Sequence, residues 1–439
     1  MRHMIGQLTP GLRKILHNTA WLMVDRIVRM GLELFVGVWV ARYLGVTQFG
    51  ILSFAVSFVA LFGTTATLGL DSIVVKHLVT EAAHSNEILG TAFTLRLLGG
   101  VVVPLLAVAA IHVIEPEDEI TLLLVTLLSA GLFFQAFDTV DVYFQSQVQS
   151  KATVWAKNAA FLLVAGIRIF LVHAKAPLWS FAAAQVTELA LGALGLMAMY
   201  RWRGGQVSMW RARRWRAVQL IQQSWPVILT GMAIMVYSRI DVVMLKFMQG
   251  DAAVGLYATA NKISEVWYFV PAAIVSSVAP AIIRAKDNPT LYYERIGRLF
   301  SLMSLIALVI GSGIALSSRW IVHFLYTDAF RGAAPVLAVH VWASLFVFLG
   351  VAQGPWNVSQ NLLKLVFYRT LAGAIANVLL NLVLIPRYSA MGAAIATVIS
   401  YGVAGVLANA FDARTRPIFL LQLKSVLPGN LFKAHKSLQ

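Results

Sequence analysis

Apolar residues run in long blocks along almost the whole chain, separated by short polar segments. A membrane helix needs about 20 largely apolar residues. Twelve blocks meet that length: 18–41, 49–70, 89–112, 120–142, 154–172, 178–200, 225–247, 253–275, 296–316, 333–353, 365–386 and 389–411. No connection between them is long enough to hold a folded extramembrane domain. The pattern therefore predicts an all-α, polytopic integral membrane protein with twelve transmembrane helices. The first block carries Asp25, Arg26, Arg29 and Glu33 and lacks a small-residue cleavage site, so it reads as a retained helix and not as a signal peptide.

Composition sharpens this picture. Of 439 residues, 59% are apolar and 12% charged, against roughly a quarter charged in soluble domains. There are 35 Lys and Arg against 19 Asp and Glu, a formal charge of +16. On a soluble chain that surplus would suggest nucleic acid. Here its position matters more. With the N-terminus in the cytoplasm, and cations within a turn of a span end counted with the adjoining segment, 23 cationic residues go to cytoplasmic segments, 6 to outer loops and 6 to span interiors. This is the positive-inside asymmetry, and an even span count then places both termini in the cytoplasm. The segment 201–216 packs six arginines among Trp202, Trp210 and Trp215. It reads as an interfacial connector whose arginines meet anionic lipid headgroups while its tryptophans sit at the acyl boundary, in preference to a nucleic-acid patch. The chain has no cysteine. It also lacks a phosphate-binding Gly-Lys-Ser/Thr loop, paired metal-ligand histidines and a nucleophile elbow, so neither an enzyme nor a bound cofactor or metal is expected.

The basic connector divides the spans into two sets of six. At an offset of 205 residues, Gly45, Gly50 and Ala55 coincide with Gly250, Gly255 and Ala260. Because six spans lie in each half, matched elements share an orientation, which is a parallel repeat with a pseudo-twofold axis along the membrane normal. The expected organisation is an N-terminal lobe at 1–200, the connector at 201–224, a C-terminal lobe at 225–411 and a basic cytoplasmic tail at 412–439.

The stretch Ala41-Arg42-Tyr43-Leu44-Gly45-Val46-Thr47-Gln48-Phe49-Gly50, with Leu68-Gly69-Leu70, Arg239-Ile240-Asp241, Val254-Gly255-Leu256-Tyr257, Lys262-Ile263, Ile385-Pro386-Arg387-Tyr388 and Met391-Gly392-Ala393-Ala394-Ile395-Ala396-Thr397, resembles bacterial Wzx-type oligosaccharide flippases. These belong to the multidrug/oligosaccharidyl-lipid/polysaccharide exporter superfamily. The resemblance implies two six-helix lobes around a central cavity in the bacterial inner membrane. It also implies a polyprenyl-pyrophosphate-linked glycan as substrate, other polysaccharide-assembly proteins as partners, and protons or sodium as coupling ions.

Charges inside a bilayer are costly and should face protein or a wet cavity. In the first span, Asp25, Arg26, Arg29 and Glu33 share one stripe. Asp25 with Arg29 and Arg29 with Glu33 are i,i+4 pairs, which leaves Arg26 without such a partner and makes it the better candidate for an anionic substrate. In the seventh span, Arg239 and Asp241 lie on opposite faces. Arg239 suits a phosphate ligand; Asp241 suits either an inter-helix anchor or a coupling cation. The eighth span aligns Tyr257, Asn261, Ser264, Glu265 and Tyr268 on one face with Lys262 at its border. That face suits either a sugar chain, whose C–H faces stack while its hydroxyls need partners, or a polar helix seam. The cation set is thus Arg26, Arg29, Arg239 and Lys262, and the sugar-facing or coupling set is Asp25, Glu33, Asp241, Tyr257, Asn261, Glu265 and Tyr268. Asn377 with Asn381 reads as packing, and Arg96, Arg168, Asp138, Asp141 and Glu188 as ion pairs within a lobe, Arg168 with Glu188 across adjacent spans.

Two functions compete on these residues. A flippase moving a lipid-linked oligosaccharide to the outer leaflet by alternating access needs cavity cations for a pyrophosphate. A multidrug/cation antiporter needs carboxylates and aromatics instead. A glycan polymerase or ligase would need a longer outer loop than any present.

Overall fold

The computed structural model describes residues 10–149 and 151–427, with side chains described from Val28 onward except Ala152 and Leu363. Among these residues helix is the only regular secondary structure. An apolar chain in lipid has to do this, because each backbone N–H and C=O must find its partner inside its own segment. In chain order the helices are α1 (Pro10–Thr67), α2 (Asp71–Thr80), α3 (Ser85–Ile114), α4 (Glu119–Ala130), α5 (Asp138–Ser146), α6 (Lys151–His173), α7 (Leu178–Trp202), α8 (Arg214–Gln249), α9 (Asp251–Glu265), α10 (Phe269–Arg284), α11 (Pro289–Leu325), α12 (Ala333–His340), α13 (Ala343–Ala352), α14 (Gly354–Ser359), α15 (Leu363–Gly405) and α16 (Arg416–Val426).

Ten continuous helical stretches among the described residues are long and apolar enough to cross a membrane. Two of them are double. α1 leaves helical geometry at Gly45, with φ 71° and ψ 175°, and α15 at Ser389, with φ 51° and ψ −132°. Counting each arm separately recovers twelve segments. The arms of α15 run antiparallel: Asn377 Nδ2 donates to Ser400 Oγ at 3.2 Å, and a Cβ on Gly392 would stand 2.2 Å from the Leu384 carbonyl oxygen.

The chain forms two compact units. The first comprises Met1–Tyr43 with Ala55–Met232, and the second Leu44–Phe54 with Ala233–Gln439. The division thus falls inside α8, later than the expected connector, because the first half of α8 packs on the first unit. Gly69 (φ 55°) backs onto Val227, and a Cβ on Gly231 would meet the Thr64 methyl at 2.3 Å.

Within the second unit the 205-residue repeat becomes visible as geometry. Gly250 has φ 81° and ψ −179°, the same left-handed turn as its counterpart Gly45, and a residue without Cβ adopts it without penalty. A Cβ on Gly50 would lie 1.9 Å from the Asp251 carbonyl oxygen, and one on Gly255 would lie 2.1 Å from the Val46 carbonyl oxygen. Val46 and Asp251 correspond under the same offset. The two helix starts therefore make one contact twice, by pseudo-twofold symmetry, at a separation only glycine permits.

The connector departs from expectation at Trp210. Trp202 and Trp215 are exposed, as an interfacial role requires. Trp210 instead packs edge-on to Phe93 and Tyr200 and donates from Nε1 to the Tyr200 hydroxyl at 3.0 Å. The Arg211 N–H donates to the Asn86 carbonyl and the Arg213 N–H to the Thr91 hydroxyl; these bonds pin the connector to the start of α3, and that turns the indole inward. Beyond the last span, α16 buries Ile418, Gln422 and Ser425 against the second unit, so this part of the basic tail is packed helix.

At the start of α8, Arg216 reaches Glu81 at 2.7 Å and stacks over the Trp215 ring at 4.2 Å. His77 Nδ1 lies 2.6 Å from Glu81 and Nε2 lies 3.0 Å from Gln223. The hydrogen bond from His77, then that from Arg216, hold the Glu81 carboxyl below its usual 4.5. A depressed folded-state value stabilises the fold above the unfolded value, and that stabilisation is lost as pH falls through the folded value. Glu81→Gln is expected to lower the thermal midpoint slightly at pH 7, by no more than the equivalent of about 1 kcal/mol given its partial exposure. The midpoints of variant and parent should converge as pH falls through the folded value; a difference that persists once the carboxyl is protonated would contradict this role.

Candidate functional site

In the first unit, Arg29 on α1 does not complete a ladder along its own helix. Its Nη2 donates to Glu188 Oε1 at 2.8 Å, and Arg168 Nη2 donates to Glu188 Oε2 at 3.1 Å. One carboxylate thus serves two guanidiniums from different helices, leaving a formal positive charge. The Arg29 guanidinium also lies over the Phe161 ring at 4.8 Å, yet its side chain stays 36% exposed. Glu33, one turn further on, is exposed and bonds to no described residue. The expected Arg29–Glu33 pair is therefore corrected, since Glu188 ties α1 to α7 within the first unit, a bridge that a neighbour on the same helix cannot make. Asp25 and Arg26 lie outside the described side chains. The other charges pair as expected: Arg96 with Asp71 at 2.6 Å, and Lys157 with Asp138 at 2.9 Å and Asp141 at 2.6 Å.

In the second unit, Asp241 sits at the centre of a polar cluster. Its Oδ2 accepts from the Tyr257 hydroxyl at 2.8 Å and the Thr397 hydroxyl at 2.6 Å. Its Oδ1 accepts from Asn381 Nδ2 at 2.6 Å. Asn381 also donates to Asn377 Oδ1 at 3.1 Å, and Asn377 to Ser400. Every one of these side chains is buried. Asn381 Oδ1 is buried without a partner. A single buried carboxylate ringed by neutral donors, beside an amide oxygen without a partner, can take up a proton or exchange those bonds for a cation.

At Tyr257 and Asn261 the polar face of the eighth span takes the form of a helix seam. Tyr257 is 2% exposed and Asn261 is 7% exposed, because this face of α9 turns into its own unit, where Asp241 and His340 await it. Ser264 bonds His340 Nδ1 at 3.0 Å. Glu265 is only partly buried and stands 3.9 Å from Arg239, and Tyr268 carries a buried hydroxyl without a partner. Arg239 stays 36% exposed at its side chain, and Lys262 is half-buried at the border of the face. Asn377, Asn381, Thr397 and Ser400 complete the cluster and are the candidate residues hardest to read from sequence. Their one signal is an i,i+4 amide pair facing a Thr/Ser pair across a turn at Ser389.

The model of the polysaccharide biosynthesis protein family matches residues 15–286, well over half of the chain. The chain belongs to this family. Over 409 residues it is 23% identical to the "Probable low-salt glycan biosynthesis flippase Agl15" of Haloferax volcanii, covering 88% of this chain and 81% of that one. The structure of the lipid II flippase MurJ in an inward closed conformation matches with a TM-score of 0.74 at 12% identity, over 94% of this chain and 92% of the other. An inward-facing multidrug resistance MATE family transporter matches with a TM-score of 0.69 at 12% identity, over 94% and 99%. At such identities the likeness shows the fold alone, that of a multi-pass membrane transporter. In this chain the two clusters lie on separate units, each built by its own helices.

Proposed function

We propose that this protein is a flippase for a polyprenyl-pyrophosphate-linked oligosaccharide, moving it from the cytoplasmic to the outer leaflet by alternating access during surface polysaccharide assembly. The observation that carries this reading is Arg239. It lies inside an apolar span, stays partly exposed, and has its nearest carboxylate at the long separation of 3.9 Å, so its guanidinium has donors to spare for a phosphate. Arg29, tied to Glu188 but still partly exposed, supports the same chemistry in the first unit, and the glycan-flippase relative agrees in substrate class. Coupling is assigned to a proton or sodium at the Asp241 cluster.

Deleting the gene in its native host should abolish the surface polymer while the lipid-linked precursor accumulates on the inner leaflet. Complementation with Arg239→Ala should restore at most about a tenth of the polymer, and Arg239→Lys more, since a point charge survives but the planar fork does not. Unchanged surface glycan together with raised drug sensitivity would assign the protein to drug export instead.

A further inference from the structure

Between α6 and α7, on the outer face of the first unit, runs an apolar trough of about 510 Å³. Its floor is made by small residues at helical spacing, Ala156 and Ala159 on α6 and Gly195 and Ala198 on α7. A Cβ on Gly195 would approach Ala156 Cβ to 3.1 Å, so the two helices nearly touch beneath the trough. Trp155 and Trp202 flank one end, 63% and 77% exposed. From Trp155 to Leu163 at the other end is about 12 Å along the helix, the length of roughly half an acyl chain.

Cations crowd the tryptophan end, and the carboxylates of the adjoining α5, Asp138 and Asp141, are both held by Lys157. Lys151, Arg201 and Arg203 are all exposed, and the Arg203 guanidinium stands over the Trp202 ring at 5.5 Å. Lys151 lies one turn before Trp155, and Arg201 one turn after Ala198. Between Asp141 and Asp241 the sequence holds a single carboxylate, Glu188, and both its oxygens are taken by Arg29 and Arg168.

We propose that this trough is a binding site for an anionic phospholipid, with one acyl chain lying in the trough and its phosphate held by Arg201 and Arg203. Tryptophans fit the level where acyl chain gives way to headgroup, and among the described residues no carboxylate stands within ion-pair distance of Arg201 or Arg203.

The test uses the purified full-length protein in detergent, with native mass spectrometry during titration with phosphatidylglycerol or phosphatidylcholine of identical acyl chains. The parent should retain phosphatidylglycerol in preference. Arg201→Gln with Arg203→Gln should lower that retention by about fivefold per arginine, to the phosphatidylcholine level. Ala159→Leu with Ala198→Leu, both at exposed positions, should fill the trough and reduce retention of both lipids. Equal retention of the two lipids by the parent, or indifference to both variants, would overturn the site. Displacement of phosphatidylglycerol by equimolar polyprenyl phosphate, itself lost in the trough-filling variant, would also overturn it and give the trough to an isoprenoid tail. Should the leucine variant fail to purify, the arginine pair decides, because those side chains lie on the surface.

Discussion

Gly50→Ala is expected to destabilise the protein by several degrees in thermal midpoint, and Gly255→Ala by a similar amount. The added methyl would stand 1.9 Å from the Asp251 carbonyl oxygen in the first case and 2.1 Å from that of Val46 in the second. Both obstacles are backbone, so no rotamer change relieves them and the helix starts must separate. Overpacking of this kind costs about 1–3 kcal/mol, and more where the neighbours cannot shift. The right controls are Gly63→Ala and Gly166→Ala, helical positions where a Cβ meets nothing within 4 Å; they should be neutral or slightly stabilising through helix propensity. Because the two contacts form one crossing, the double variant should cost less than the sum of the single ones, the crossing having been opened once. If Gly50→Ala melts together with the controls, the helices do not meet as closely as described.

Asp241→Asn is expected to slow flipping by at least about tenfold, the equivalent of about 1.4 kcal/mol at the limiting step, while leaving the protein folded. The amide keeps the shape of the carboxyl, and the Tyr257 and Thr397 hydroxyls can turn to accept as well as donate. Asp241→Ala differs in kind. It removes the acceptor that three buried donors share and leaves a void among them, while Thr397 keeps the Ala393 carbonyl, Asn381 keeps Asn377 and Tyr257 keeps Thr397; the loss of about 1–3 kcal/mol in all should fall mainly on stability. The measurement is translocation of lipid-linked oligosaccharide in proteoliposomes under an imposed sodium or proton gradient. The asparagine variant should respond to neither. A gradient response equal to that of the parent would remove Asp241 from coupling and leave it as an anchor between α8, α9 and α15.

The membrane-spanning segments were legible in the chain because lipid allows few solutions. A block of some 20 apolar residues has to become a helix, and glycines that recur at a fixed offset mark turns whatever surrounds them. Gly45 and Gly250 share their backbone geometry as the repeat implies. The polar clusters were less legible for a different reason. Helical spacing shows which side chains share a face, as with Tyr257, Asn261 and Ser264, without showing what that face meets. It turned out to meet Asp241 and His340 inside the same unit. Likewise, Asn377 and Asn381 become a site only once the turn at Ser389 brings Thr397 and Ser400 against them.

By itself, then, the sequence determined helical content, the number of segments, the repeat and the scarcity of buried charge, since each follows from local hydrophobicity and backbone freedom. The tertiary structure decided the pairings: Arg29 with Glu188 across 159 residues, Asp241 with Thr397 across 156, and Gly50 against Asp251. Hydrogen bonds and ion pairs act over a few ångströms, and which groups come that close depends on the packing of whole helices, a property that no single stretch of the chain carries.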